Sequence, residues 1–144
     1  MTKVAFHFNV TDQVDYACRL LRKAVSSGAK VVVLGLPGTL QQLDTALWSF
    51  SAPDFVPHCF LESEEFVVSA SPVILTTSIK SLPHRQVLLN LGNLLPDGFE
   101  QFERVIEVVG LDDEDRLGAR SRWKQYTDRG YNITRHDLAL KTSH

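Results

Sequence analysis

Cysteine is scarce in this chain: Cys18 and Cys59 are the only two among 144 residues, and they stand far apart. They form no metal-ligand spacing, and Cys18 falls on the apolar face of a predicted helix, so both are expected to be reduced core residues. A charge excess of either sign is missing too, since 15 Lys and Arg stand against 17 Asp and Glu, a formal net charge of −2. Coating nucleic acid by bulk charge needs a large positive surplus, so any recognition of charge must use a local patch. No apolar run approaches the length of a membrane span, and residues 1–6 carry neither a basic n-region nor a long h-region. A cytoplasmic protein without membrane contact is therefore expected, and the sequon Asn132-Ile133-Thr134 is read as chance. With 44% hydrophobic residues in 144, the chain has the composition of a globular protein forming a single domain over 1–144.

Strand and helix patterns alternate along the chain. Val4, Phe6 and Phe8 share one face of a strand. Thr11 or Asp12 caps a helix carrying Val14, Ala17, Cys18, Leu21, Ala24 and Val25, and Gly28 closes it. The β-branched run 31–34 predicts a strand covered on both faces. After the turn 35–38, Thr39 is the expected cap of a second helix that buries Leu40, Leu43, Ala46 and Leu47 and ends near Trp48. Residues 73–77, 87–91 and 104–109 read as further strands, and 96–102 as a helical turn. Asp112 caps a long helix ended by Gly130, while 133–144 shows no clear element. The β-α-β-α opening predicts an α/β fold, Rossmann-like, with a parallel or mixed sheet and helices on both faces.

Such folds often host enzymes, but the chemistry is missing. The turn Gly35-Leu36-Pro37-Gly38 precedes a helix, yet it has no Gly-Lys-Ser/Thr, and Pro37 removes an amide donor that a phosphate cradle needs. His7, His58, His84, His136 and His144 make no helical pair for zinc. The acidic cluster 112–115 sits at a helix start, where it complements the dipole. No catalytic residue, metal or cofactor is therefore expected.

Two features point to binding instead. On the helix within 111–131, Arg116, Arg120 and Lys124 share one sector with Thr127, and Trp123 lies at its edge beside Ala119 and Tyr126. Like charges at i, i+4 and i+8 repel by roughly a few tenths of a kcal/mol per pair, which a helix built only for stability would avoid; the alternative reading is a solvated basic face with Trp123 packed in the core. The second feature is an aromatic cluster of Trp48, Phe50 and Phe55 around a helix end and a proline-bounded loop, which taken alone reads as a cap on the core. Trp and Arg are the residues most enriched at binding hot spots.

The stretches Phe8-Asn9-Val10, Leu43-Asp44-Thr45-Ala46-Leu47-Trp48, Asp54-Phe55-Val56-Pro57-His58, Leu88-Leu89-Asn90-Leu91-Gly92, Phe102-Glu103-Arg104-Val105-Ile106-Glu107 and Ala119-Arg120-Ser121-Arg122-Trp123-Lys124-Gln125-Tyr126, in this order, resemble the chi subunit family of bacterial DNA polymerase III holoenzyme. The resemblance covers nearly the whole chain. It implies a Rossmann-like domain without enzymatic activity that bridges the acidic C-terminal tail of single-stranded DNA-binding protein and the psi subunit of the clamp loader during DNA replication. Some members also partner a repair helicase, and contact with DNA would be indirect. Carried over position by position, the resemblance implies a tail pocket of Trp48, Phe55, Arg116, Arg120, Trp123 and Lys124, bordered by 133–134. Trp123 replaces a tyrosine and Arg116 a lysine of the best-known member, changes that keep ring and charge.

The helix chemistry fits such a ligand. An acidic peptide ending in phenylalanine offers a carboxylate, which Arg120 is expected to clamp, and a ring for Trp48, Phe55 and Trp123 to enclose. Arg116 and Lys124 would attract upstream aspartates. Two alternatives are a direct single-stranded DNA-binding module, with bases stacking on Trp48, and a small nucleotide-binding α/β enzyme using the crevice at its strand ends.

Overall fold

The structure, a computed structural model, describes residues 1–49 and 55–141. Its strands are β1 (Lys3–Val10), β2 (Val31–Leu34), β3 (His58–Phe60), β4 (Val73–Thr76), β5 (Val87–Asn90), β6 (Arg104–Gly110) and β7 (Ile133–Asp137). The helices are α1 (Gln13–Ser26), α2 (Pro37–Trp48), α3 (Glu65–Ala70), α4 (Asp113–Asp128) and α5 (Leu138–Lys141), with a 3-10 turn at Phe99–Gln101. All strands join one sheet in the order β3-β4-β2-β5-β6-β1-β7, and every adjacent pair runs parallel. The Rossmann-like α/β expectation holds, with the sheet wholly parallel.

Strand order decides which face each helix covers. Connections from β1 to β2 and from β2 to β3 run one way along the sheet, whereas β6 to β7 runs the other way. Crossovers of one hand then put α1 and α2 on one face and α4 on the opposite face. Burial follows this division. Ala17, Cys18, Leu21, Leu40, Leu43 and Leu47 pack with Val31, Val33, Val73 and Leu75. Tyr126, Ala119, Phe99 and Phe102 pack with Val4, Phe6, Val32, Ile74 and Val105. Alternate residues of β2 thus feed different cores, which explains its unbroken apolar run. Both cysteines are buried and free. No helix among the described residues is long and apolar enough to cross a membrane.

Local signals set the helix ends. Asp12 caps α1 by accepting from the Asp15 amide, and Asp112 caps α4 by accepting from the Asp115 amide at 2.7 Å. Gly28 and Gly130 stand at φ 85° and 88° just beyond α1 and α4, where a side chain would strain the left-handed turn. Helix α2 corrects the sequence expectation: it starts at Pro37 with Leu36 as an N-cap that makes no side-chain bond, and Thr39 lies inside it. Proline at the first helical position needs no amide partner and holds φ near the helical value, so it starts the helix ahead of the threonine.

Strands β3 and β7 and helix α3 went unanticipated. β7 pairs with β1 from Val4↔Ile133 to Phe8↔Asp137 and forms one edge of the sheet. Its sequence, Ile-Thr-Arg-His-Asp, has no fully buried residue and no apolar alternation, so backbone pairing to β1 chiefly defines it.

A cationic cleft beside helix α4

The cleft forms where chain connections part. The ends of β1 and β6 are neighbours, but β1 leads to α1 on one face and β6 to α4 on the other, which leaves a crevice at a topological switch point. Into it opens a cleft of about 610 Å³. Phe6, Phe8, Val109 and Gly110 form its floor, and Arg116, Ala119, Arg120 and Trp123 of α4 form one wall. Asn9 and Arg135 complete the lining.

Asn9 is the unusual residue. Its φ is 61°, and pairing between β1 and β6 shifts register between His7 and Val10. Asparagine tolerates this left-handed conformation better than most side chains. The irregularity moves Val10 onto the α1 face although Val4 and Phe6 pack against α4. It also aims the Asn9 amide into the cleft, where Nδ2 donates to Asp137 at 2.7 Å and Oδ1 accepts from Arg116 Nη2 at 3.2 Å. Arg116 is thereby oriented without an ion pair among the described residues. The Arg120 side chain makes no polar contact among the described residues and stays exposed on the helix.

Aromatic and cationic groups interleave across the cleft. The Trp123 ring lies 5.1 Å from that of Phe6, and the Arg135 guanidinium carbon lies 5.4 Å from the Phe8 ring centre and 5.7 Å from that of Trp123. Three guanidiniums therefore border a half-apolar trough. Negative charge is near but engaged: Asp137 accepts from Asn9 and from the Ala139 amide. Burial, then the neighbouring Asp112 charge, pushes the Asp115 carboxyl above its ordinary range.

Beneath the wall lies a buried polar network that anchors α4. Glu107 of β6 is 0% exposed. Its Oε1 accepts from Arg122 Nε at 3.0 Å and its Oε2 from Tyr126 Oη at 2.8 Å, while Asn90 Nδ2 lies 3.1 Å from both oxygens. Arg122 Nη1 also donates to the Asn93 carbonyl at 2.9 Å. Burial pushes the Glu107 carboxyl up, opposed by the Arg122 charge and the donors around it. Arg122 and Tyr126 alternate along α4 with Arg120 and Trp123, so the network fixes the helix rotation that presents the cleft residues. Sequence reasoning missed this pair. The available signal was Glu107 in register with Val105 and Val109, a carboxylate at a core position that demands a buried partner.

The expected six-residue pocket is divided. Arg116, Arg120 and Trp123 line the cleft, and Lys124 is exposed on α4 outside its lining. Trp48 and Phe55 lie elsewhere, with rings 5.1 Å apart at the end of α2, and His58 of β3 lies 5.3 Å from Trp48. They belong to the α1/α2 face at the β3 edge, roughly 25 Å from the cleft across the intervening strands. The six are grouped by carrying the resemblance over position by position, and neither that nor helical periodicity says which faces meet in space. Phe50 lies outside the described residues.

This second cluster is also built. Trp48 is 62% exposed. Asp44 Oδ1 accepts from Trp48 Nε1 at 3.2 Å and lies 2.9 Å from His58 Nε2, and His58 Nδ1 lies 2.7 Å from the Val56 carbonyl. An exposed indole is thus held at a set angle by a buried imidazole and a carboxylate.

Fold and geometry together describe a parallel α/β protein with a cationic trough at the strand switch point and an oriented aromatic platform at the far edge. The family described as DNA polymerase III chi subunit, HolC, matches residues 1–134, and the chain belongs to it. A Pseudomonas aeruginosa protein named DNA polymerase III subunit chi is 31% identical over 143 residues, covering 96% of this chain and 98% of its own length. A Haemophilus influenzae protein of the same name is 28% identical over 145 residues, covering 96% of this chain and 99% of its own. The Escherichia coli protein of that name is 32% identical over 93 residues, 64% of this chain and 62% of its own. Membership makes the chain a replication accessory subunit of DNA polymerase III.

Proposed function

We propose that the chain is a non-catalytic bridge that binds the acidic C-terminal tail of single-stranded DNA-binding protein in the α4 cleft and the psi subunit through the aromatic platform. The cleft carries the first half. Arg116, Arg120 and Arg135 surround a floor of Phe6 and Phe8 with Trp123 as a wall, which suits a peptide combining aspartates with a terminal phenyl ring. Charge-assisted hydrogen bonds contribute about 1.5 to 3 kcal/mol each, so affinity near micromolar that weakens in salt is expected. Lys124, one turn beyond Arg120, adds long-range attraction at the rim.

The platform supports the second half. Exposed Trp48, oriented by Asp44 and His58, pairs with the partly buried Phe55 on the opposite face and edge from the cleft. A bridge needs two surfaces that do not compete, and this separation supplies them.

The test is a fluorescence-anisotropy titration of a labelled acidic peptide ending in Asp-Ile-Pro-Phe, beside the same peptide without the final Phe and a single-stranded oligonucleotide. Saturable binding of the intact peptide alone supports the tail site. Binding of the oligonucleotide alone would turn the cleft into a nucleic-acid contact. Silence toward all three would remove the tail as a ligand.

A further inference from the structure

We infer that the outer ridge of helix α4 is a self-complementary surface through which two copies of this chain pair about a two-fold axis. Asp113, Glu114, Leu117, Arg120, Ser121 and Lys124 are exposed along this ridge, while Ala119, Arg122 and Tyr126 bury the opposite side of the helix. Leu117, at its middle, is 68% exposed, and Leu94, on the loop after β5, is 77% exposed. That loop is closed onto α4: Arg122 Nη1 donates to the Asn93 carbonyl at 2.9 Å and Asn90 Nδ2 to the Leu94 carbonyl at 3.2 Å. Gly118 permits the approach, since a Cβ there would lie 3.1 Å from Arg122 Nη1 and 3.7 Å from the Asn93 oxygen. Two large aliphatic residues are thus set side by side in water on fixed backbone, outside the lining of the trough and away from the aromatic platform.

The charges around them decide what covers them. Glu114 precedes Leu117 by three residues and Arg120 follows it by three, so the two stand about 9 Å apart along the helix and do not pair within it. Neither forms an ion pair among the described residues. An antiparallel copy of α4 centred on Leu117 sets leucine against leucine, Glu114 against Arg120 of the second copy, and Arg120 against its Glu114. Asp113 and Lys124 extend the same alternation of sign outward. A parallel copy would instead set like charge against like. A second copy carries the complementary order by symmetry, as a two-fold interface requires, whereas an unrelated partner would have to match it residue by residue.

One helix ridge and a loop bury less than the roughly 1,200 Å² of a stable complex, so the pairing belongs in the high-micromolar range and weakens in salt. Arg120 is engaged across the axis, and the paired form therefore withholds it from any other ligand.

Sedimentation equilibrium of the purified chain from about 10 to about 1,000 μM tests the pairing. The weight-average mass should climb from 16.2 kDa toward twice that value. Leu117→Glu should hold it at the monomer value throughout. Glu114→Arg and Arg120→Glu, each alone, should weaken association by about tenfold or more, since each sets two like-charged pairs across the axis. Both together in one chain should restore it, because the exchanged charges meet again, and that recovery also shows the variants to be folded. A wild type that stays monomeric over the whole range would overturn the inference, as would association unchanged in Leu117→Glu. Weakening that accumulates in the double variant without recovery would overturn the antiparallel pairing of Glu114 with Arg120.

Discussion

Arg122 Nε sits 3.0 Å from Glu107 Oε1, an ion pair whose side chains are 4% and 0% exposed and which lies under the wall of the cleft. Breaking a buried pair from one side leaves the other charge without a partner, a cost of about 3 to 5 kcal/mol. Glu107→Gln should lose stability on that scale in urea unfolding, because a single amide oxygen cannot serve Arg122, Asn90 and Tyr126 together. A loss below about 1 kcal/mol would show that α4 is held by its apolar contacts alone.

Arg120→Ala should reduce tail-peptide affinity by at least about tenfold, whereas Arg85→Ala, on an exposed loop before β5, should change it by less than about twofold. The wild-type affinity should fall steeply as salt rises from 50 to 300 mM, roughly as expected for screened surface charges. Equal effects of the two substitutions in the anisotropy titration would refute the assignment of the cleft.

Trp48→Ala should abolish capture of psi on an affinity column and leave tail-peptide binding within about twofold, because the two surfaces share no residue. Asp44→Ala, which removes the acceptor for Trp48, should weaken psi capture to a lesser degree. A parallel loss of peptide binding in Trp48→Ala would restore the single six-residue pocket.

Cys18 should resist thiol reagents in the folded protein. Burial, with smaller contributions from the Asp15 and Asp12 charges, pushes its thiol up to about 11. At pH 8 only about one molecule in a thousand carries the thiolate, and the rate should rise about tenfold per pH unit below 11. Fast labelling at pH 8 without denaturant would mean that α1 opens locally.

Legibility of the fold tracked burial. The strands β2, β4, β5 and β6 announce themselves through runs of Val, Ile and Leu because the sheet is covered on both faces. Edge strand β7 carries Thr134, Arg135 and His136, whose side chains say nothing of pairing, and so Arg135 escaped notice as a cleft residue. The cationic stripe on α4 was readable from spacing because Arg116 and Arg120 repel at no structural gain. Its neighbours were not readable. Whether Trp123 faces Phe6 or Trp48 depends on strand order, which local periodicity does not encode.

The parallel sheet that separates the platform from the trough also fixes their spacing. For two ligands seated on Trp48 and on Arg120, the sheet acts as a stiff rod of roughly 25 Å, with no flexible tether between the two grips. An assembly that carries both ligands at a matching spacing would therefore make its second attachment nearly intramolecular, raising avidity without any new contact.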